Sequence, residues 1–193
     1  MKIFHKPLSP FILNQRFGEN KACVSTDGQN RYITCDGLNP PMGYKSLYGD
    51  KGHLGIDLYA IHGQEVYCIQ KGVVSQIDVN PKSGLDVRII SDIEGKRFKH
   101  IYEHLMGYQP RIGDVVETGQ LVGWADNTGY SSGDHLHLQV EELVNGVWVH
   151  IDPLPLMSDS FAKDILFINN KIKYIKEQIA LLTDRLANYL RKG

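Results

Sequence analysis

Gly133-Asp134-His135-Leu136-His137-Leu138-Gln139-Val140 is the stretch on which the reading of this 193-residue chain turns. Two imidazoles alternate with apolar side chains, so at a period of two Leu136, Leu138 and Val140 share one face of a strand. His135, His137 and Gln139 share the other. One face suits a core and the other suits chemistry. Neighbours at i and i+2 on a strand lie about 6.5 to 7 Å apart, so His137 could bind a metal while His135 reaches a water on it. A solvated strand with two exposed histidines is the bland alternative.

Working outward, the same pattern occurs eighty residues earlier in Gly52-His53-Leu54-Gly55-Ile56-Asp57-Leu58, where Leu54, Ile56 and Leu58 alternate with His53, Gly55 and Asp57. Fully extended, His53 and Asp57 would stand about 13 Å apart, whereas two ligands of one zinc come within roughly 3 to 3.5 Å. If the two share an ion the chain must bend between them, and Gly55 is the residue able to do so. A third element, Tyr102-Glu103-His104-Leu105, adds another imidazole after a β-prone run. His100 and His104 also stand at a helical i, i+4 spacing, but Phe98, Ile101 and Tyr102 favour a strand there. His62 follows Asp57 closely and can reach the edge of a cleft, while His5 and His150 read as surface or packing residues.

The rest of the chain up to the end of the His-rich strand is written in short strands. Glu65–Ile69, Gly72–Ile77, Leu85–Ile90, Arg97–Tyr102, Arg111–Val116 and Gly119–Trp124 are separated by turn signals, with no helical pattern of useful length between them. Trp148 to Pro153 reads as a closing strand. The fold class expected is mainly β, an antiparallel β-sandwich or barrel-like sheet built from local hairpins, with a C-terminal amphipathic α-helix. Three regions follow: a strand-rich N-terminal segment, 1–35, packed on the core; a central domain, 36–157; and a helix, 158–193. In the first, Phe11–Leu13, Arg16–Gly18 and Tyr32–Thr34 are the expected strands. From Asp36 to Gly52, two prolines, four glycines and no apolar period make a long loop that ends on His53. Such loops in compact domains are usually functional or disordered, and here Tyr44 and Tyr48 are expected to face substrate. The loop before His135 has nearly all small side chains, so a peptide backbone could approach Thr128 and Tyr130.

In the C-terminal region Ile165, Ile168, Ile172, Ile175, Ile179, Leu182, Leu186 and Tyr189 follow 3, 4, 3, 4, 3, 4, 3 spacing, a heptad seam. A helix from about Ser160 to Leu190 is expected, with Ser158, Asp159 or Ser160 as cap. A seam this regular buries best against another helix, in a homodimer or on a partner protein.

Composition removes some partners. A net charge of -1 leaves no electrostatic footprint for nucleic acid or an anionic membrane, and no stretch reaches the length of a membrane span. The N-terminus lacks the apolar run of a signal peptide. Cys23, Cys35 and Cys68 contain no Cys-x-x-Cys pair and read as ordinary thiols, although a Cys23–Cys35 bridge is conceivable.

Taken together, His-x-x-x-Asp with its glycines, the strand-end Tyr-x-His-Leu and the Gly-Asp-His-Leu-His-Leu-Gln-Val strand resemble the lysostaphin-type zinc metallopeptidases that cut peptidoglycan. The resemblance covers roughly residues 50 to 153, including Arg111–Gly123, the Thr128–Ser131 loop and Asp152-Pro153. It implies that His53, Asp57 and His137 ligate one zinc per chain and that His104 and His135 are the catalytic imidazoles, with the division of labour between these two left open. Gln139 stands where an acidic residue is common, and Asp134 where proline is frequent. The implied activity is hydrolysis of peptide cross-links or cross-bridges at the cell wall or periplasm, Gly-Gly and D-amino-acid bonds both being open. With no leader in view, the expected routes there are a phage particle or lysis system, release by another exporter, or a leader lost from this sequence.

Two rival readings remain. A non-catalytic module that binds cell-wall peptide or docks a partner usually lacks a ligand or a catalytic histidine, and none is missing here. A biotinyl- or lipoyl-type carrier would fit the hairpin at Gly113–Gln120, but the lysine at the hairpin tip is absent.

Overall fold

The computed structural model describes residues 2–19 and 52–190. The centre of the molecule is β10 (His135–Val144), whose alternation is expressed as read: Leu136, Leu138 and Val140 are fully buried, and the opposite face carries His135, His137, Gln139 and Glu141. Each such aliphatic side chain contributes about 1.5–3 kcal/mol on burial, which pins the register, since a slip of one residue would exchange the two faces.

Along one edge, β10 pairs antiparallel with β3 (Ile56–Tyr59) and then with β11 (Val147–Ile151); its other edge pairs with β7 (Lys96–Tyr108). The sheet continues from β7 through β6 (Gly84–Ile93) and β5 (Gly72–Asn80) to β8 (Val115–Val116), and β2 (Leu13–Gln15) flanks β3. The far end of β7 leaves β10 and pairs with β9 (Leu121–Ala125), which in turn holds β4 (Glu65–Tyr67). Ten strands thus form one antiparallel sheet among the described residues.

The junction on β7 is a bulge. Leu105 pairs with Leu85 and Tyr102 with Val87, so Glu103 and His104 together oppose Asp86. His104 takes φ +61, and its N–H donates to Ser83 O at 2.9 Å. A left-handed backbone on a residue other than glycine is uncommon, and bulges of this kind re-aim a side chain beside functional sites.

Phe4 and Leu8 of the N-terminal segment and Met157 join the same core as Ile56, Leu58, Val87, Ile89, Tyr102, Leu136 and Leu138. β1 (Phe4–Lys6) pairs in parallel with β12 (Met157–Phe161), a strand the sequence did not announce. Ser158, Asp159 and Ser160, expected as a helix cap, lie inside β12. The helix α1 (Ala162–Leu190) begins just beyond. In place of the strand expected at Arg16–Gly18 there is a turn over residues 17–19, with Gly18 at φ +70. Tyr32–Thr34, Cys23, Cys35, Tyr44 and Tyr48 lie outside the described residues. Cys68 is a buried core thiol, pushed up to about 12 by burial. Among the described residues no helix is long and apolar enough to cross a membrane.

The expected bend between His53 and β3 falls at Leu54–Gly55. A Cβ on Gly55 would lie 2.5 Å from Leu138 O and 2.9 Å from His137 Nε2, both fixed by the centre of the sheet. We therefore expect Gly55→Ala to destabilise the fold by about 1–3 kcal/mol through overpacking, read as a lower urea midpoint at unchanged slope.

Candidate metal centre

Three side chains, two of them on strands, meet at the end of β10. His53 Nε2 lies 2.9 Å from His137 Nδ1 and 3.1 Å from Asp57 Oδ1, and His137 Nδ1 lies 2.7 Å from Asp57 Oδ1. Asp57 and His137 are paired across β3 and β10, so the sheet register holds two corners of this triangle. The third is set by the bend at Gly55 and by the N-terminal turn: Gly18 N–H donates to His53 O at 2.7 Å, and His53 N–H donates to Glu19 O at 3.1 Å.

The proton count points to a cation. His53 Nδ1 donates to Arg16 O at 3.0 Å, which leaves the lone pair of a neutral ring on Nε2. Asp57 is an acceptor, and His137 Nδ1 can bring one proton at most. Three electronegative atoms in mutual contact, with at most one proton between them, are stable when a positive ion replaces that proton. The edges of 2.7–3.1 Å are slightly shorter than the roughly 3 to 3.5 Å separating two ligands of a tetrahedral zinc with metal–ligand distances of about 2.0–2.2 Å. A small outward movement of each side chain therefore accommodates the ion, and the residues present fit it.

The electrostatics agree. Burial alone would raise the Asp57 carboxyl, yet its contacts with the His137 and His53 rings hold it well below the usual carboxylate range. His137 is drawn down to about 4 by burial, so its ring is neutral at physiological pH, as a ligand must be. A ligand histidine usually donates its second ring N–H, and of the two rings His53 does so here. His137 Nε2 is buried without a hydrogen-bond partner among the described residues, on the side where Gly55 leaves room.

Two more imidazoles stand over this triangle. His135 Nε2 is 3.5 Å from Asp57 Oδ1, and the rings of His104 and His135 are 4.7 Å apart. His104 Nδ1 donates to Thr128 O at 2.7 Å, and His135 Nδ1 donates to Gly133 O at 2.8 Å. In both neutral rings Nε2 is then the free acceptor. Burial and the neighbouring His135 draw His104 down to about 4. All five rings and carboxylates singled out in the sequence line one cleft of about 350 Å³, together with Gln15, Gly129, Tyr130, Ser131 and Ser132.

Thr128 is not among the lining side chains. Its hydroxyl donates to Leu105 O and accepts from Leu85 N–H, which locks the loop against β6 and β7. His62 contacts Asp126 Oδ1 at 2.8 Å, and Asp126 O accepts from the His135 N–H, so His62 belongs to the rim. His100 is wholly buried on the core face, bonded to Ser91, and takes no part in the site.

Gln15 was missed in the sequence because its place in the cleft follows from β2 pairing with β3, which local patterning does not reveal. The sequence marks Glu103 only as the neighbour of His104. It is buried beside the site on β7, opposite His137, and accepts a short hydrogen bond from Gln139, whose own carbonyl faces His150 Nε2 at 3.0 Å. Burial, then the Asp86 charge, push Glu103 up to about 8. An acid whose folded pKa is raised holds its proton more firmly when folded, so stability is full below the unfolded value near 4.5 and declines as pH rises toward 8. Glu103→Gln should remove that decline, gaining a few kcal/mol relative to the parent between pH 5 and pH 9, as measured by denaturant unfolding at both pH values.

Three side chains that could hold one ion, with two further imidazoles facing the same cleft, make a candidate metal centre. The chain belongs to peptidase family M23, whose profile matches residues 51–153. Lysostaphin of Staphylococcus simulans is 30% identical over 110 residues, which are 56% of this chain and 22% of that protein. The glycyl-glycine endopeptidase ALE-1 of Staphylococcus capitis is 32% identical over 112 residues, 57% of this chain and 29% of that protein. Among solved structures, the catalytic domain of lysostaphin from S. simulans aligns with a TM-score of 0.50 at 29% identity, over 55% of this chain and 80% of that one. The chain thus spans under a third of the length of these curated relatives.

Proposed function

We propose that this chain is a zinc-dependent endopeptidase that hydrolyses peptide cross-links or cross-bridges of bacterial peptidoglycan, acting at the cell wall or periplasm. The observation that carries the reading is the convergence of His53 Nε2, Asp57 Oδ1 and His137 Nδ1 within 2.7–3.1 Å of one another, beneath His104 and His135. Three protein ligands leave one position open, as a catalytic zinc requires and a structural zinc does not. When bound, the ion acts as a Lewis acid and lowers the pKa of water toward 7.

The chain's own residues do the rest. His53 and His137 bind as neutral rings, and the Arg16 carbonyl fixes the first in the tautomer that exposes Nε2. His104 and His135 each have Nδ1 held by a backbone carbonyl, which leaves Nε2 of the neutral ring toward the cleft. Either can therefore take a proton from the attacking water and return it to the leaving amine, and once protonated can hydrogen-bond the developing oxyanion. The substrate enters the cleft that Gln15, Tyr130, Ser131 and Ser132 help to line. Small loop residues leave room for an extended peptide with little side-chain bulk, which both a glycine bridge and a D-amino-acid cross-link satisfy.

The test is digestion of purified walls of known cross-bridge composition, with zinc and with chelator, identifying new amino termini by mass spectrometry. New termini at one peptide bond, lost with chelator and regained with zinc, are expected. Wall binding without any new terminus would mark a non-catalytic module instead.

A further inference from the structure

The helix α1 leaves the body at a defined base and then, among the described residues, stands uncovered. Ala162 is buried, Lys163 Nζ reaches Glu65 Oε2 at 3.3 Å, and the same ammonium lies 4.9 Å from the Tyr67 ring. Beyond that, Ile168, Ile172, Ile175, Ile179 and Leu182 are 45–60% exposed on one stripe, so the chain's own sheet does not cover these described positions of the heptad seam.

We propose that this seam pairs with the same seam of a second copy, in an antiparallel two-helix interface. Self-complementarity is the first argument. Under a two-fold axis between Lys173 and Tyr174, Ile165 meets Leu182 of the other copy, Ile168 meets Ile179, and Ile172 meets Ile175, so every layer is aliphatic.

Charge supplies the second argument and selects the direction. In a parallel pair the flanking positions five residues apart face each other, which sets Lys171 against Lys176 of the other helix on both sides. In the antiparallel pair Lys171 faces Gln178 and Lys176 faces Asn169, with no like charges opposed. Area supplies the third. Six aliphatic side chains, each hiding on the order of 60–100 Å², plus the stems of the flanking lysines, approach the roughly 800 Å² per partner of a standard interface. The dimer carries two clefts on one particle and is independent of what those clefts cut.

Sedimentation velocity of the full chain from about 1 to 200 µM tests this, with three variants. The parent should pass from monomer to dimer in the micromolar range, and Ile175→Glu should weaken that by at least tenfold. Asn169→Glu, which sets a carboxylate against Lys176 in the antiparallel pair but against Asp164 in a parallel one, should tighten it severalfold. Lys171→Glu, which would relieve the parallel pair, should change it little. A parent that stays monomeric at 200 µM overturns the proposal, as does a trimer or tetramer. So does the opposite response, with Asn169→Glu weakening and Lys171→Glu tightening association. Binding of a monomer to vesicles of phosphatidylcholine and phosphatidylglycerol at 3:1 would assign the seam to a lipid surface and also overturn it.

Discussion

Replacing Asp57 by asparagine or His137 by alanine is expected to empty the metal centre and to lower wall-peptide turnover by about 10³-fold or more. Asp57 Oδ1 is the atom both imidazole nitrogens touch, at 2.7 Å and 3.1 Å. An amide there contributes no charge, so two rings alone would have to hold a dication. His137→Ala removes a donor that the register of β10 against β3 places opposite Asp57, and no other described imidazole nitrogen occupies its position. Lewis-acid stabilisation amounts to several kcal/mol, and each 1.36 kcal/mol is tenfold in rate, which sets the size of the loss. Metal content by mass spectrometry separates this from a folding defect: the variants should remain folded and carry well under one zinc per chain. A variant that keeps stoichiometric zinc and full turnover would remove Asp57 from the ligand set.

The second large effect is expected at the imidazoles above the ion. His104→Ala and His135→Ala should each keep one zinc per chain while kcat falls by about 10²–10⁴-fold, the range for loss of a positioned acid or base. The two rings lie 4.7 Å apart, and each has its Nδ1 engaged by a backbone carbonyl, so they offer equivalent Nε2 acceptors to one reacting group. If they handle the same proton in succession, the double variant will be little worse than the worse single one, as for residues that act as a unit. A product of the two single losses would instead mean that they serve separate steps. Zinc loss in either single variant would make that ring a ligand and reopen the assignment.

What the chain announces beforehand is whatever depends on period. His135, His137 and their apolar partners lie on opposite faces of β10 because strand side chains alternate strictly, and Leu136, Leu138 and Val140 have only one core to enter. The bend at Gly55 was legible because His53 and Asp57 cannot share an ion along a straight strand. His104 is different. Its approach to the cleft depends on a bulge and a left-handed backbone at a histidine, and no local pattern distinguishes that from an ordinary strand. Gln15 and the Arg16 carbonyl reach the site through pairing between segments some forty residues apart. Such long-range registry leaves no mark in local alternation. The same holds for β12, whose polar Ser158-Asp159-Ser160 reads as a helix cap until β1 is found beside it.

The most direct measurement is anomalous scattering at the zinc edge from crystals of the zinc-loaded chain. One peak is predicted, about 2.0–2.2 Å from His53 Nε2, Asp57 Oδ1 and His137 Nδ1, with solvent in the remaining position. A peak elsewhere, or a fourth protein atom such as the Gln15 side chain permanently filling that position in the active enzyme, would contradict it.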